Sequence, residues 1–71
     1  MDRRELTRRE IEIVKLVATG LTNSEIAEDL EVSMATVKRH VANVMLKWNV
    51  QNRTKVAVEA IRRGMVTRDE L

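Results

Sequence analysis

Two helix-start signals, Thr22 and Ser33, stand only eleven residues apart in the stretch TNSEIAEDLEVS (22–33), which leaves room for two turns of helix and almost no loop. Thr22 precedes Glu25 by three, the capping-box spacing: the hydroxyl meets the third amide and the carboxylate reaches back to the cap. Ile26, Ala27 and Leu30 recur at helical spacing and predict a short inward-facing helix over SEIAEDL. Glu31 and Val32 are too few to make a loop before Ser33, a good N-cap for the next helix. Two helices joined so tightly must cross steeply, and the second projects from the body. That is the helix-turn-helix arrangement.

The flanking sequence builds a body for this pair. Upstream, LTRRE (6–10) holds a second capping box, Thr7 to Glu10, opening a helix through IEIVKLVAT. Its expected inner stripe is Ile11, Val14 and Ala18, widened by Ile13 and Val17, and Gly20 suits a helix end that needs positive φ. Downstream, MATVKRHVANVMLKW (34–48) predicts a third helix with Val37, Val41, Val44 and Trp48 in a narrow arc and Met34 and Met45 beside it. NVQN then turns into a fourth, RTKVAVEAIRR, with an inner stripe of Val56, Ala57, Ala60 and Ile61 and a stop at Gly64. No segment alternates with period two, and there is no proline, repeat or low-complexity tract. The fold class is therefore all-α: one four-helix domain over residues 1–71, core 6–66, containing the helix-turn-helix.

The outer side of the third helix raises the functional question. Opposite its apolar arc lie Ala35, Arg39, Ala42 and Leu46, flanked by Thr36, Lys38 and Asn43, without one acidic residue. An ordinary solvated face alternates charges of both signs. Net charge is only +2, but Glu25, Glu28, Asp29 and Glu31 are segregated from Lys38, Arg39, Lys47, Arg53 and Lys55. An acid-free helix of this kind suits a polyanion. A major groove about 12 Å wide admits one helix. Ala35 and Ala42 then give clearance, Lys38 and Arg39 reach base edges, and Arg39 can grip guanine bidentately. Thr36, at the positive end of the helix, is placed for a phosphate, and the start of the preceding helix at Thr22 and Asn23 offers amides for another. Taken singly, each of these residues reads more simply as an ordinary surface residue, a good helix former or a solubilising charge; the weight lies in the spacing, N-cap, acid-free face and short turn occurring together in one segment.

Other function classes find less support. With no cysteine and a single histidine, the chain has neither a disulfide frame nor a cysteine- or histidine-rich metal site, and no cofactor is expected. His40 has no acid within a turn, and no glycine-rich phosphate loop occurs, so an enzyme is not expected. No apolar run approaches the roughly 18–20 residues of a membrane span. The charged start MDRRELTRRE lacks the apolar centre of a signal peptide. The expectation is a soluble cytoplasmic protein without a membrane partner.

The motifs LTRRE, G.TN.EIA..L, S..TVK.H..N...K and NRT, in this order and spacing, resemble the LuxR-type DNA-binding domain shared by quorum-sensing activators, FixJ/NarL-type response regulators and GerE-like regulators. The resemblance covers about sixty positions, from Leu6 to Val66, and puts the helix-turn-helix at Thr22–Val41. It implies sequence-specific binding of double-stranded DNA, with the third helix in the major groove and the fourth pairing two copies as a homodimer that regulates transcription. Lys38 matches the family's groove-facing lysine, Arg39 and Ala42 its sequence-reading positions, and Thr36 and Lys47 its phosphate-side positions. Thr22, Thr36, Lys47 and Arg53 are thus expected to position the backbone, and Val56, Ala60 and Arg63 to form the dimer contact. About 4–6 phosphates per dimer would give a log–log salt slope near −4 to −5. His40 matches a position beside the core and is expected to be structural, satisfied by a hydrogen bond.

Three departures stand out. Trp48 replaces the usual leucine, Val56-Ala57 inverts the common Ala-Val order, and Leu46 occupies a position that is commonly basic or polar. The competing function is a helix-turn-helix module that docks on RNA polymerase or another protein, which would favour apolar anchors on the outer face. Family members usually carry a further N-terminal domain, so the chain is either an excised output domain or a stand-alone regulator with a short charged leader.

Overall fold

A computed structural model describes residues 5–67 and 69. The fold is all-α as expected, with four α-helices among the described residues: α1 (Arg8–Ala18), α2 (Asn23–Leu30), α3 (Met34–Trp48) and α4 (Arg53–Arg62). Both capping boxes form, Thr7 with Glu10 and Thr22 with Glu25, and Ser33 and Asn52 cap α3 and α4 without a reciprocal acid.

All four helices end alike. One residue turns left-handed and the apolar residue after it sends its amide back five positions: Leu21 to Leu16, Val32 to Ala27, Val50 to Met45 and Met65 to Ala60, at 2.9–3.1 Å. This closure satisfies carbonyls that a helix end leaves orphaned and folds the apolar residue back against the core. Gly20 (φ 97°) and Gly64 (φ 72°) take the left-handed turn without the steric cost that Glu31 (φ 56°) and Asn49 (φ 53°) meet. Between α2 and α3 only Glu31, Val32 and Ser33 intervene, so the two helices are held at a fixed crossing.

The core draws on every helix: Ile13, Val14 and Val17 of α1, Ile26 and Ala27 of α2, Val37, Val41 and Val44 of α3, and Val56 and Ala60 of α4. α1 lies against α3 and α4, while α2 packs chiefly on α3. Two expected stripes are rotated. On α1, Ile11 is 36% exposed and Glu10 is the buried residue in its turn. On α4, Ile61 is 43% exposed, and Met34 at the start of α3 is 44% exposed rather than beside the core. On α1 the inner face is filled by Ile13, Val14 and Val17 with Glu10, and on α4 by the smaller Val56 and Ala60, which allow close helix approach.

Candidate nucleic-acid interface

With Val37 and Val44 fully buried, the side of α3 opposite them must face out. Ala35, Lys38, Arg39, Ala42 and Leu46 are all exposed there, and Thr36 and Asn43 are half-buried at its edge. No acid occupies the first turn of α3. The Ser33 hydroxyl accepts from the Thr36 amide at 3.1 Å and lies 2.9 Å from the Thr36 hydroxyl. The remaining first-turn amides at the positive end of the helix are left for an anion.

The start of α2 differs. The Thr22 amide donates to Glu25 at 2.8 Å, and the Glu25 amide donates to the Thr22 hydroxyl. The Thr22 amide, and after it the Thr22 hydroxyl, hold the exposed Glu25 carboxyl below its ordinary value, so a carboxylate already occupies this helix end. Thr22 is therefore poorly suited to the phosphate contact expected of it, because its amide is taken and a negative charge stands beside it.

Two further residues expected to meet phosphates, Lys47 and Arg53, have partners within the protein. The Lys47 ammonium donates to Glu10 at 2.6 Å and to the Glu5 carbonyl at 3.2 Å. Burial pushes the Glu10 carboxyl up, but Lys47 and the Thr7 amide outweigh it and hold the group below the usual carboxylate range. Lys47 is a strut between α3 and α1. Arg53 donates to the Asn23 side-chain carbonyl at 2.5 Å and to the Leu21 carbonyl at 2.6 Å, tying the start of α4 to the entrance of α2. Both cations face the protein. Asn23 keeps its amide donors but is half-buried beneath Arg53.

The expected dimer contact is also corrected. Val56 and Ala60 are 0% exposed in the core, so no second chain can touch them. Arg63 lies over the Trp48 ring, 4.5 Å from its centroid, and its Nε donates to Glu59 at 2.9 Å. The outward face of α4 instead carries Thr54, Val58 and Ile61, with Val58 50% and Ile61 43% exposed. These are positions i, i+4 and i+7 of one helix face, a pattern the sequence shows once the inner stripe is fixed on Val56 and Ala60. His40 is half-buried beside the core, but its Nδ1 is buried without the hydrogen bond expected of it.

Among the described residues no group of three or more His, Cys, Asp or Glu is gathered to hold a metal ion, and no helix is long and apolar enough to cross a membrane. The family described as bacterial regulatory proteins, luxR family, matches residues 4–60. Relatives include the transcriptional regulatory protein DegU of Brevibacillus brevis, 48% identical over 86% of this chain and 26% of its own length. Transcriptional regulatory protein LiaR of Bacillus subtilis is 48% identical over 86% of this chain and 29% of its own. Response regulator protein VraR of Staphylococcus aureus is 41% identical over the same shares, 86% and 29%. The chain thus spans between a quarter and a third of the length of these curated relatives. The matches agree with the resemblance carried by the four sequence motifs.

Proposed function

Because this chain belongs to the luxR family of bacterial regulatory proteins, we propose that it binds double-stranded DNA sequence-specifically, with α3 in the major groove, and regulates transcription. The observation that carries this reading is the outer face of α3. Lys38 and Arg39 are exposed between exposed alanines, on a face without acids, at a helix start left open to an anion. Arg39 reads a base edge, Lys38 lies with it in the groove, and the amides beside Thr36 hold a phosphate. Ala35 and Ala42 let the backbone approach, and Asn43 lies at the margin.

A homodimer places two such helices on a dyad-symmetric site. The contact runs through the outward α4 face, Thr54, Val58 and Ile61, since the inner face is filled by the core. With Lys47 and Arg53 held within the protein and Lys38 and Arg39 at base edges, few cations are left to neutralise phosphates, so the salt slope is expected to be shallower than about −4.

The test is selection of bound duplexes from a random pool, followed by salt titration of the winner and a scrambled control. A dyad-symmetric winner, held at least about a hundredfold more tightly than the control, is expected. Equal binding to both, with a steep salt dependence, would leave only a basic surface.

A further inference from the structure

Leu46 is the most exposed large hydrophobic side chain among the described residues, at 80%. It is not stranded on a random surface. It falls seven residues after Arg39 and four after Ala42, on the same outward face of α3 and about 10 Å further along the axis. Beside it is an open hollow lined by Ala42, Met45, Asn49, Val50 and Gln51, apolar or uncharged throughout.

The charge of this end of α3 decides what it can meet. It is the carbonyl end of the helix, where the dipole disfavours anions. Lys47, the one cation of the last turn, is held by Glu10 and Glu5. A phosphate therefore finds no counter-charge here and no helix N-terminus, only the neutral side-chain amides of Asn49 and Gln51. What fits is an uncharged, apolar group lying on the surface that α3 presents as a continuation of its Lys38–Arg39 end. In a major groove that group is the C5 methyl of thymine, the one apolar feature among the base edges.

We propose that Leu46, with Ala42 beside it, selects a thymine through its C5 methyl group, about two to three base pairs from the base read by Arg39. This assignment rests on the reading of α3 as the groove-bound helix. Leu46 is a specificity-determining residue that adds no charge and hence no salt dependence.

The experiment uses the 71-residue chain and its best-selected duplex, with each thymine replaced singly by deoxyuridine, which keeps the base pair and removes only the methyl. At one thymine per half-site, the replacement should weaken binding roughly three- to fivefold, the size of one buried methyl group at about 0.8 kcal/mol. Leu46→Ala, which removes the contact from both protomers at once, should weaken binding to the thymine duplex by roughly the square of that factor, about ten- to twenty-fivefold, and lose the distinction between thymine and deoxyuridine at that position. Helicity should be unchanged, since the site is exposed. If no deoxyuridine position matters, or the loss persists in Leu46→Ala, the assignment is overturned. If Leu46→Ala leaves DNA affinity untouched as well, the side chain belongs to a protein contact instead. A pool that yields no preferred duplex overturns the DNA reading itself, and this assignment with it.

Discussion

Lys47 is the residue on which fold and function make opposite forecasts, and Lys47→Met separates them. As a strut, Lys47 neutralises a carboxylate that is 2% exposed, at 2.6 Å. Removing one partner of a fully buried pair costs about 3–5 kcal/mol, because the other charge is left unpaired. Here the lysine side chain is 24% exposed, so water can reach part of the site. Glu10 also keeps the hydrogen bond from the Thr7 amide at 2.8 Å. Both effects lower the loss, to about 2–3 kcal/mol. In a chain of this size each kcal/mol moves the thermal midpoint by about 4–8 °C, so a drop of about 10–20 °C is expected by circular dichroism. The double variant Glu10→Gln/Lys47→Met removes both charges and keeps an acceptor for the capping box, and should recover much of that loss. The DNA salt slope should be unchanged in either protein. A midpoint within about 2 °C of wild type, together with a slope shallower by about 1 per protomer, would refute the strut and restore Lys47 to the phosphates.

Glu10 sets the acid limb of stability. Its folded pKa lies below the ordinary 4.5, so its contribution is complete above that value and is lost as pH falls through the lower, folded one. Thermal midpoints measured from pH 6 to 3 should therefore fall less steeply in Glu10→Gln than in wild type; parallel curves would reject the linkage. Val56→Glu buries an unpaired carboxylate at a 0% exposed site and should cost more than about 4 kcal/mol, unfolding the chain. Val58→Glu should keep full helicity and weaken dimerisation on DNA, read by sedimentation; an unchanged dimer would remove α4 from the interface. Arg39→Ala should cost about 1–3 kcal/mol and relax specificity at one base position, whereas a uniform loss on every sequence would make Arg39 a phosphate contact.

Local signals in the sequence located the helices well, because Thr7, Thr22 and Ser33 act within one turn of themselves. The outward set Ala35, Lys38, Arg39 and Ala42 was legible for the same reason: the arc of Val37, Val41 and Val44 fixes its opposite. The cations misled. Lys47 finds Glu10 thirty-seven residues away and Arg53 finds Asn23 thirty residues away, and no periodicity carries information over such distances. Glu10 was hidden as well, since a carboxylate in a helix reads as solvent-facing until its partner is known. On α4 a residue filling the inner stripe cannot also meet a second chain, so Val56 and Ala60, both buried in the core, exclude themselves as dimer contacts.

The Arg63 guanidinium over the Trp48 ring has a practical use. Trp48 is the only tryptophan and the chain has no tyrosine, so its ultraviolet emission comes from one place alone. That place is the joint between the last turn of α3 and the end of α4, remote along the helix from Lys38 and Arg39. The protein thus carries a built-in optical reporter of whether its fourth helix is seated, readable without a dye or a label.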